Sequence, residues 1–317
     1  MELTIGVDVG GTKIAAGVVD TEGRILERLR VPTPTTVTEI DIRIAEVATS
    51  LLGSIEGGSS RAAVGVAAAG FVDEHRTTVR FAPNLPWREY PLAAGLAERL
   101  RMPVVVENDA NAAAWAEFRF GAGHGVTDMM LLTVGTGLGG GIVLDGNLVR
   151  GAFGIAAELG HVRMVPNGRP CGCGQHGCWE QYASGTALLR AARALAVRDP
   201  EAAKVMLGAA GGDPTALRGN MVTEAALSGD PAAVSLFTEL GRWLGEGIAT
   251  IANVMDPAVV VIGGGVADAD GLLLGPAREA FVGHLSGGDN RPQLDIRVAQ
   301  LGNDAGIIGA ADLARRR

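Results

Sequence analysis

The chain has 317 residues, of which 47% are hydrophobic and 20% are charged, and its formal net charge is −8. This length permits two domains with a large core, and the acidic balance argues against nucleic acid as a partner. No apolar run approaches the length that spans a bilayer, and the first residues enter a strand pattern without a basic leader. We therefore expect a cytoplasmic protein that does not insert into membranes.

The residue pattern of the first half of the chain predicts three strands in succession, followed by alternating helices and strands. Short apolar runs that end in glycine or polar residues indicate strands, and apolar residues at helical spacing indicate helices. In chain order these are a strand and turn at 3–11, two strands joined by a turn within 13–31, a helix at 38–53, a strand at 61–70, a helix at 91–101, a strand at 103–109 and a helix that ends at Gly121.

The second half follows a similar order around a glycine- and cysteine-rich loop. It predicts two strands and a hairpin within 129–149, a loop at 158–180, long helices at 184–206 and 230–254, strands at 258–265 and 294–302, and a helix at 304–315. The alternation predicts an α/β fold with mixed sheets that are covered on both faces. We expect a small domain at 1–120, with the C-terminal helix 304–317 packed back on it, and a large domain at 121–303.

The first of three glycine-rich turns follows the first strand and reads DVGGTK. Its consecutive glycines, Gly10 and Gly11, allow backbone N–H groups to approach phosphate oxygens, and Thr12 and Lys13 add a hydroxyl and a charge. Asp8 ends the strand, where a carboxylate can hold Mg²⁺ through water. The residue order and the strand that follows exclude a P-loop. A plain β-hairpin without a ligand remains the alternative.

The other two glycine turns also follow buried strands. The segment that contains Thr136 and Gly137 matches G-x-G-x-x-G, but a strand follows it where the dinucleotide fingerprint needs a helix. We interpret it as a second phosphate-binding turn in a hairpin. The third turn, Gly263–Gly264–Gly265, suits close approach by a flat ring such as adenine. Three such turns, spread over two halves, predict a nucleotide clamped between domains.

A polar cluster ends the strand before the helix that stops at Gly121. It consists of Glu107, Asn108 and Asp109. Ligands of α/β proteins bind at the carboxyl ends of strands, and an aspartate there can accept a proton from an attacking alcohol. The alternative is that Asp109 or Asn108 only caps the helix, and both roles fit the same position.

Gly70 and Asn84 follow another strand end. Asparagine, aspartate, glutamate and histidine together supply the paired donors and acceptors that several sugar hydroxyls need. Trp87 is a candidate for stacking on a sugar, although a core or rim position is the commoner role for such a residue.

The segment from 158 to 180 contains all three cysteines of the chain. Three cysteines and one histidine match the ligand set of a closed, four-coordinate structural zinc site. The alternatives are three buried thiols and a DNA-binding finger, but the spacing is not that of a two-pair finger. The candidate ligands are His161, Cys171, Cys173 and Cys178, and the carboxylates that bracket them are Glu158 and Glu180.

Four motifs taken together, DVGGTK, ENDANAAAWAE, LLTVGTGLGGGIV, and ELGH followed by CGCGQHGCWE, resemble the ROK family (repressors, open reading frames and sugar kinases). The likeness runs in order over residues 3–310 and is strongest to the zinc-containing, ATP-dependent glucokinases of actinobacterial type. The resemblance implies a two-domain actin-like (ribonuclease-H-like) sugar kinase fold with an interdomain cleft. It also implies transfer of the γ-phosphoryl group of ATP to the 6-hydroxyl of glucose.

The resemblance implies a role for each matched position. Asp109 is the general base, Mg²⁺ neutralises phosphate charge, and zinc shapes the sugar site without acting as a Lewis acid. The implied sugar contacts are Gly70, Asn84, Asn108, Asp109, Glu158, His161 and Glu180. The implied nucleotide contacts are Asp8, Gly10, Gly11, Thr12, Lys13, Thr136, Gly137, Gly263, Gly264 and Gly265. The implied zinc ligands are His161, Cys171, Cys173 and Cys178.

Two departures narrow the expectation within the family. ROK repressors have an N-terminal helix-turn-helix domain before the kinase core, whereas the first residues here already show the strand pattern of that core. Relatives that use polyphosphate lack the cysteine cluster, which this chain contains. We therefore expect ATP as the donor. A kinase for N-acetylmannosamine, N-acetylglucosamine or fructose remains the alternative, and so does a sugar sensor that does not catalyse. The family suggests a homodimer or homotetramer, with the long helices 184–206 and 230–254 as interface candidates.

Overall fold

The computed structural model describes residues 2–55, 63–266 and 271–316, and the chain forms two compact units. Unit 1 comprises residues 1–131, 141–157 and 299–317, and unit 2 comprises residues 132–140 and 158–298. The predicted domain bounds, 1–120 and 121–303, stay a prediction. Among the described helices, none combines the length and the apolar character needed to cross a bilayer.

Strands and helices follow each other in an order close to the predicted one. The strands are β1 (Thr4–Val9), β2 (Lys13–Val19), β3 (Ile25–Pro32), β4 (Val64–Ala68), β5 (Phe71–Val72), β6 (Val79–Phe81), β7 (Arg88–Tyr90), β8 (Val104–Asn108), β9 (Met129–Val134), β10 (Leu138–Leu144), β11 (Asn147–Leu148), β12 (Val259–Gly263) and β13 (Asp295–Val298). The helices are α1 (Val37–Gly53), α2 (Leu92–Leu100), α3 (Asp109–Phe120), α4 (Gly185–Arg198), α5 (Lys204–Ala209), α6 (Gly219–Leu227), α7 (Pro231–Met255), α8 (Gly271–His284) and α9 (Ala305–Arg315).

The main sheet of unit 1 has the strand order β3-β2-β1-β4-β8. The first three strands pair antiparallel, whereas β1, β4 and β8 run parallel to one another. The register pairs Val9 with Ala68, and Ala68 with Asn108, at the last residue of each parallel strand. The carboxyl ends of the three strands therefore meet at one edge of the sheet.

The side chains of β1 point to opposite faces of the sheet in turn, because successive residues of a strand alternate. Ile5, Val7 and Val9 are fully buried in one core cluster, to which Ile40 and Ile44 of α1 also belong. Gly6 and Asp8 point to the other face, where α9 packs. The alternation thus places the Asp8 carboxylate away from the apolar core.

Helix α9 lies directly against the sheet because glycines remove the side chains in its path. A Cβ atom at Gly6 would lie 1.8 Å from the carbonyl oxygen of Ile307, and one at Gly65 would lie 1.8 Å from that of Ala310. Gly309 allows the same approach to Ala112 of α3. The C-terminal helix therefore fixes α3 on the sheet of unit 1.

A small sheet of β5, β6 and β7, in that order, extends unit 1. The sequence did not predict it, since strands of two or three residues show no periodicity. Trp87 immediately precedes β7, and its side chain is fully buried in the core cluster. The suggestion that Trp87 stacks on a sugar is therefore wrong.

The second five-stranded sheet has the strand order β11-β10-β9-β12-β13, and the division into units passes through β9 and β10. The helix predicted at 184–206 is wrong in its extent, because α4 ends at Arg198 and α5 begins at Lys204. Pro200 explains the break, since proline disfavours the helical conformation in the residue before it. Asp230 caps α7 by accepting a hydrogen bond from the Ala233 N–H at 2.9 Å.

Candidate active site

The structure brings Asp8 and Asp109 together in unit 1. Asp8 is near the end of β1, and Asp109 is the first residue of α3, immediately after β8. Burial and the negative charge of Asp109 raise the pKa of Asp8 to about 6, while Lys13 opposes the rise. Both residues are half-buried.

The environment of Asp109 suits a base. Burial raises the pKa of its carboxyl, whereas a hydrogen bond from the Ala110 N–H at 3.0 Å lowers it. The amino end of α3 adds a partial positive charge that stabilises the ionised carboxylate. Asp109 is therefore a carboxylate with raised basicity at the edge where three parallel strands end.

Asn108 fixes the turn from β8 into α3. Its Oδ1 accepts a hydrogen bond from the Asn111 N–H at 2.9 Å, which makes it the helix cap. Its Nδ2 donates to the Gly70 carbonyl at 3.1 Å. The sequence left open whether Asn108 or Asp109 caps the helix, and the structure assigns this role to Asn108.

Gly70, Gly11 and Asn84 complete the predicted group in unit 1. A Cβ atom at Gly70 would lie 2.5 Å from the Phe81 carbonyl oxygen, so only glycine fits there. A Cβ atom at Gly11 would lie 3.2 Å from Cβ of Asn84, whose side chain is exposed. The strand edge thus places the predicted sugar residues of this unit beside the first glycine turn.

The DVGGTK turn is a tight hairpin between β1 and β2. The Gly10 N–H donates to the Lys13 carbonyl at 3.0 Å, and the Thr33 hydroxyl donates to the Gly10 carbonyl at 2.7 Å. Thr12 accepts from the Thr33 N–H at 3.2 Å. The turn is therefore held in one shape by Thr33, the residue after β3, with Lys13 close enough to act on the Asp8 carboxylate.

In unit 2, the amino end of α4 holds the turn that contains Thr136. The Gly185 N–H donates to the Gly135 carbonyl at 2.8 Å, and the Thr186 hydroxyl donates to the Thr136 carbonyl at 2.7 Å. β10 follows the turn, so the structure supports the prediction that G-x-G-x-x-G is no dinucleotide fingerprint here. No motif in the sequence points to the role of Thr186.

The third glycine turn lies beside the second in unit 2. Gly264 has a φ of +91°, and a Cβ atom there would lie 2.5 Å from the Val134 carbonyl oxygen at the end of β9. The Val266 N–H donates to the same carbonyl at 3.1 Å. Gly263 ends β12, the neighbour of β9 in the sheet, so both turns leave the sheet side by side.

The four predicted zinc ligands converge in unit 2. The candidate ligand atoms of His161, Cys171, Cys173 and Cys178 all lie within 4.8 Å of one another. Sγ of Cys173 lies 3.6 Å from Sγ of Cys178, and Sγ of Cys171 lies 3.7 Å from Nδ1 of His161. A tetrahedral zinc ion separates its sulfur ligands by about 3.8 Å, so the donor set and its spacing fit zinc.

Glu180 lies beside this cluster and beside the second glycine turn. Its Oε1 accepts a hydrogen bond from the Cys171 thiol at 2.9 Å and is 3.9 Å from Nδ1 of His161. A Cβ atom at Gly137 would lie 2.9 Å from Oε2 of Glu180. Glu180 therefore joins the predicted metal cluster to the predicted nucleotide turn within one unit.

The neighbours of Glu180 and His161 are anchored by close packing. The indole N–H of the fully buried Trp179 donates to the Trp243 carbonyl at 2.8 Å, and Gly247 of α7 leaves the space for its ring. Glu158 is half-buried and precedes a short 3₁₀ helix that ends at His161. The predicted sugar residues of unit 2 thus lie next in the chain to residues that are held by close packing.

The sequence does not reveal a buried ionic cluster around Glu107, two residues before Asp109. The Glu107 side chain is only 3% exposed, and its Oε2 lies 2.7 Å from Nε of Arg150 and 3.4 Å from Nε of Arg76. A carboxylate in a strand that is predicted to be buried indicates that cationic side chains lie close to it, because a buried charge is rarely left unpaired. The arginines lie far along the chain in either direction, however, so no sequence motif identifies them as its partners.

Comparisons with known proteins agree with this arrangement. The ROK family model matches residues 4–317. The glucokinase of Streptomyces coelicolor is 52% identical over 99% of this chain and 98% of its own length. The N-acetylmannosamine kinase of Escherichia coli is 33% identical over 98% of each chain.

A solved structure supports the same assignment. A ROK family glucokinase from Streptomyces griseus, in complex with glucose and AMPPNP, superposes with a TM-score of 0.89 at 53% identity. The alignment covers 99% of this chain and 100% of that one. The predicted two-domain, actin-like class of α/β sugar kinases is confirmed. This chain belongs to the ROK family.

Proposed function

We propose that this protein is a glucokinase, which transfers the γ-phosphoryl group of ATP to the 6-hydroxyl of glucose and releases ADP. The single observation that carries this proposal is Asp109, a half-buried carboxylate of raised pKa at the edge where β1, β4 and β8 end. The ATP-dependent glucokinase predicted from the sequence agrees with the relatives that share its full length.

Asp109 acts as the general base. Its carboxylate accepts the proton of the 6-hydroxyl while the hydroxyl oxygen bonds to the γ-phosphorus, and the bond to the β-phosphate oxygen breaks. A raised pKa strengthens this base, and the amino end of α3 still favours its ionised form. In unit 1 the sugar is oriented by Gly70, Asn84 and Asn108.

Nucleotide phosphates bind at the glycine turns. In unit 1 the contacts come from the backbone of Gly10 and Gly11 and from the side chains of Thr12 and Lys13, since this turn presents N–H groups and one cation. Mg²⁺, when bound through water at Asp8, would supply neutralisation of phosphate charge. In unit 2 the nucleotide contacts are Thr136, Gly137, Gly263, Gly264 and Gly265.

The Cys₃His cluster would hold zinc as a structural ion. Zinc, when bound, would supply rigidity to the 158–180 loop, since four protein ligands leave no open position for chemistry. His161 would bind the metal through Nδ1, which leaves Nε2 for a sugar hydroxyl. Glu158, His161 and Glu180 then present fixed acceptors and donors to the hydroxyls of glucose.

The test is ADP release by the purified protein with ATP and Mg²⁺. The sugars compared are glucose, mannose, fructose, N-acetylglucosamine and N-acetylmannosamine, and polyphosphate is the alternative donor. Selective turnover of glucose with ATP is expected. Preference for an N-acetyl sugar would keep the mechanism and change the substrate, an alternative favoured by the likeness to an N-acetylmannosamine kinase. Binding without any turnover would favour a sensor.

The quaternary structure is part of the same proposal. We expect a homodimer or homotetramer in which α4 and α7 are the candidate interface helices. Sedimentation equilibrium measures the mass directly, and a monomer at assay concentrations would contradict this expectation.

A further inference from the structure

We propose that Glu107 and Arg150 are positioning residues for Asp109 and that their ion pair fixes the turn from β8 into α3. The inference rests on the proposed role of Asp109 as the general base. It goes beyond that role because neither residue belongs to the sugar, nucleotide or metal contacts described above.

The Glu107 side chain stabilises the turn from β8 into α3 through hydrogen bonds. Its Oε1 accepts hydrogen bonds from the Asn108 N–H at 3.1 Å and from Nδ2 of Asn111 at 3.3 Å. The carboxylate therefore contacts the residue before Asp109 and the residue two positions after it. Because these bonds flank Asp109, the first residue of α3, we expect a displaced Glu107 carboxylate to disturb the start of that helix.

Arg150 supplies the closest cation to this buried carboxylate. Its Nε donates to Oε2 of Glu107 at 2.7 Å, and its own side chain is 25% exposed. The second cation, Arg76, is 3.4 Å from the same oxygen, and its Nη2 also donates to the Leu313 carbonyl at 3.2 Å. Removing Arg150 would leave the buried carboxylate with only the longer contact to Arg76, which is unfavourable for a buried charge.

Arg150 also begins the loop 150–157, which is anchored at two further points. The Ala156 N–H donates to the Arg150 carbonyl at 3.0 Å, and a Cβ atom at Gly154 would lie 2.2 Å from the Val72 carbonyl oxygen. Glu158, a proposed sugar contact, follows this loop directly in the chain. The Glu107–Arg150 ion pair therefore ties the turn before Asp109 to the start of the loop 150–157.

The experiment is a double-mutant cycle of Glu107→Gln, Arg150→Gln and their combination. It measures kcat, the KM of each substrate and the Kd of glucose by calorimetry, with circular dichroism to confirm folding at the assay temperature. Each single variant should lower kcat by between tenfold and about a hundredfold, because misplacing a base by an ångström has effects of that size. The KM for ATP should stay unchanged, and the combination should be no worse than the poorer single variant.

The matched control is Arg315→Lys in the same unit. Arg315 forms another buried ion pair, 2.8 Å from Asp312, with side chains 10% and 2% exposed. This variant should lower the thermal midpoint and leave kcat unchanged. Arg150→Lys keeps the charge without the planar guanidinium, so it should fold and show a smaller loss of kcat than Arg150→Gln.

Two results would overturn the proposal: an unchanged kcat in folded Arg150→Gln, as expected for the Arg315 control, or additive losses in the cycle. Asp109→Asn is measured alongside. If it stays active, the base assignment itself fails, whereas an inactive Asp109→Asn with normal Glu107 and Arg150 variants refutes only the positioning role.

Discussion

At the residue scale, Asp109 combines a predicted position with an environment that no motif reveals. The pattern ENDAN before a helix indicated a carboxylate at a strand end, and the structure agrees. The neighbour Asp8 comes from a strand that lies about a hundred residues earlier, and only the pairing of β1, β4 and β8 brings the two together. The sequence can therefore identify Asp109 as a candidate residue, but the fold determines the pKa of its carboxyl.

Asp109→Asn should abolish most turnover while the sugar still binds. The amide keeps the size and the hydrogen-bonding atoms but cannot accept the hydroxyl proton, so kcat should fall by about a hundredfold to ten-thousandfold. Initial rates and glucose calorimetry measure the two effects separately. Near-normal kcat would show that another group takes the proton.

The pH dependence of kcat/KM should show an acid limb. Asp8 has a pKa of about 6, and its ionised form is the one that can hold a cation, so activity should fall as the pH falls through about 6. The raised pKa of Asp109 acts in the same direction, because its ionised form is the base. The profile of kcat/KM reports groups of the free enzyme. A profile that stays flat well below that pH would contradict the assignment.

At the scale of elements, periodicity predicts the long helices and buried strands, and particular residues explain the failures. The helix pattern of 184–206 continued through Pro200, where the structure has a break between α4 and α5. The short strands β5, β6 and β7 owe their existence to pairing and not to a pattern of their own. Helix α8 was missed although it has fourteen residues, and it contains three glycines and a proline that weaken any helical prediction.

Gly65→Ala should destabilise unit 1 because its Cβ would collide with the backbone of α9, 1.8 Å from the Ala310 carbonyl oxygen. Backbone atoms cannot rotate away as a side-chain end can, so we expect a loss of about 3 kcal/mol or more. Urea denaturation measures this difference. The matched control is Gly53→Ala at the end of α1, where no atom lies within 4 Å of the new methyl group. Equal stability of the two variants would refute the close packing of α9.

At the scale of the whole molecule, the predicted site residues fall into both units. Gly70, Asn84, Asn108 and Asp109 belong to unit 1, while Glu158, His161 and Glu180 belong to unit 2. The first group lies at the ends of β4 and β8 and in the loop that contains Asn84, whereas the second lies in the loop 158–180 with its short 3₁₀ turns. The order of motifs along the chain predicted this division of labour, but the packing of α9 and α7 behind each group depends on glycines whose partners lie elsewhere in the sequence.

Removal of zinc should weaken the binding of glucose more than the binding of ATP. The cluster contains His161, a proposed zinc ligand, and contacts Glu180, and both are proposed sugar residues. The third glycine turn, a proposed nucleotide contact, depends instead on β9 and β12. The protein is dialysed against a chelator, and both ligands are titrated by calorimetry before and after zinc is restored. Equal losses for both ligands, or no loss, would contradict this prediction.

Asn108 has consequences for how sugar preference can diverge among such kinases. It caps α3 and donates to the Gly70 carbonyl, so replacing it would disturb a helix as well as the proposed contact with a sugar hydroxyl. Asn84 lies on an exposed loop, where substitutions disturb fewer contacts that the fold requires. Evolutionary drift toward a new hexose should therefore begin at Asn84 and leave Asn108 fixed, and a laboratory selection for altered specificity has the best prospects at the same loop.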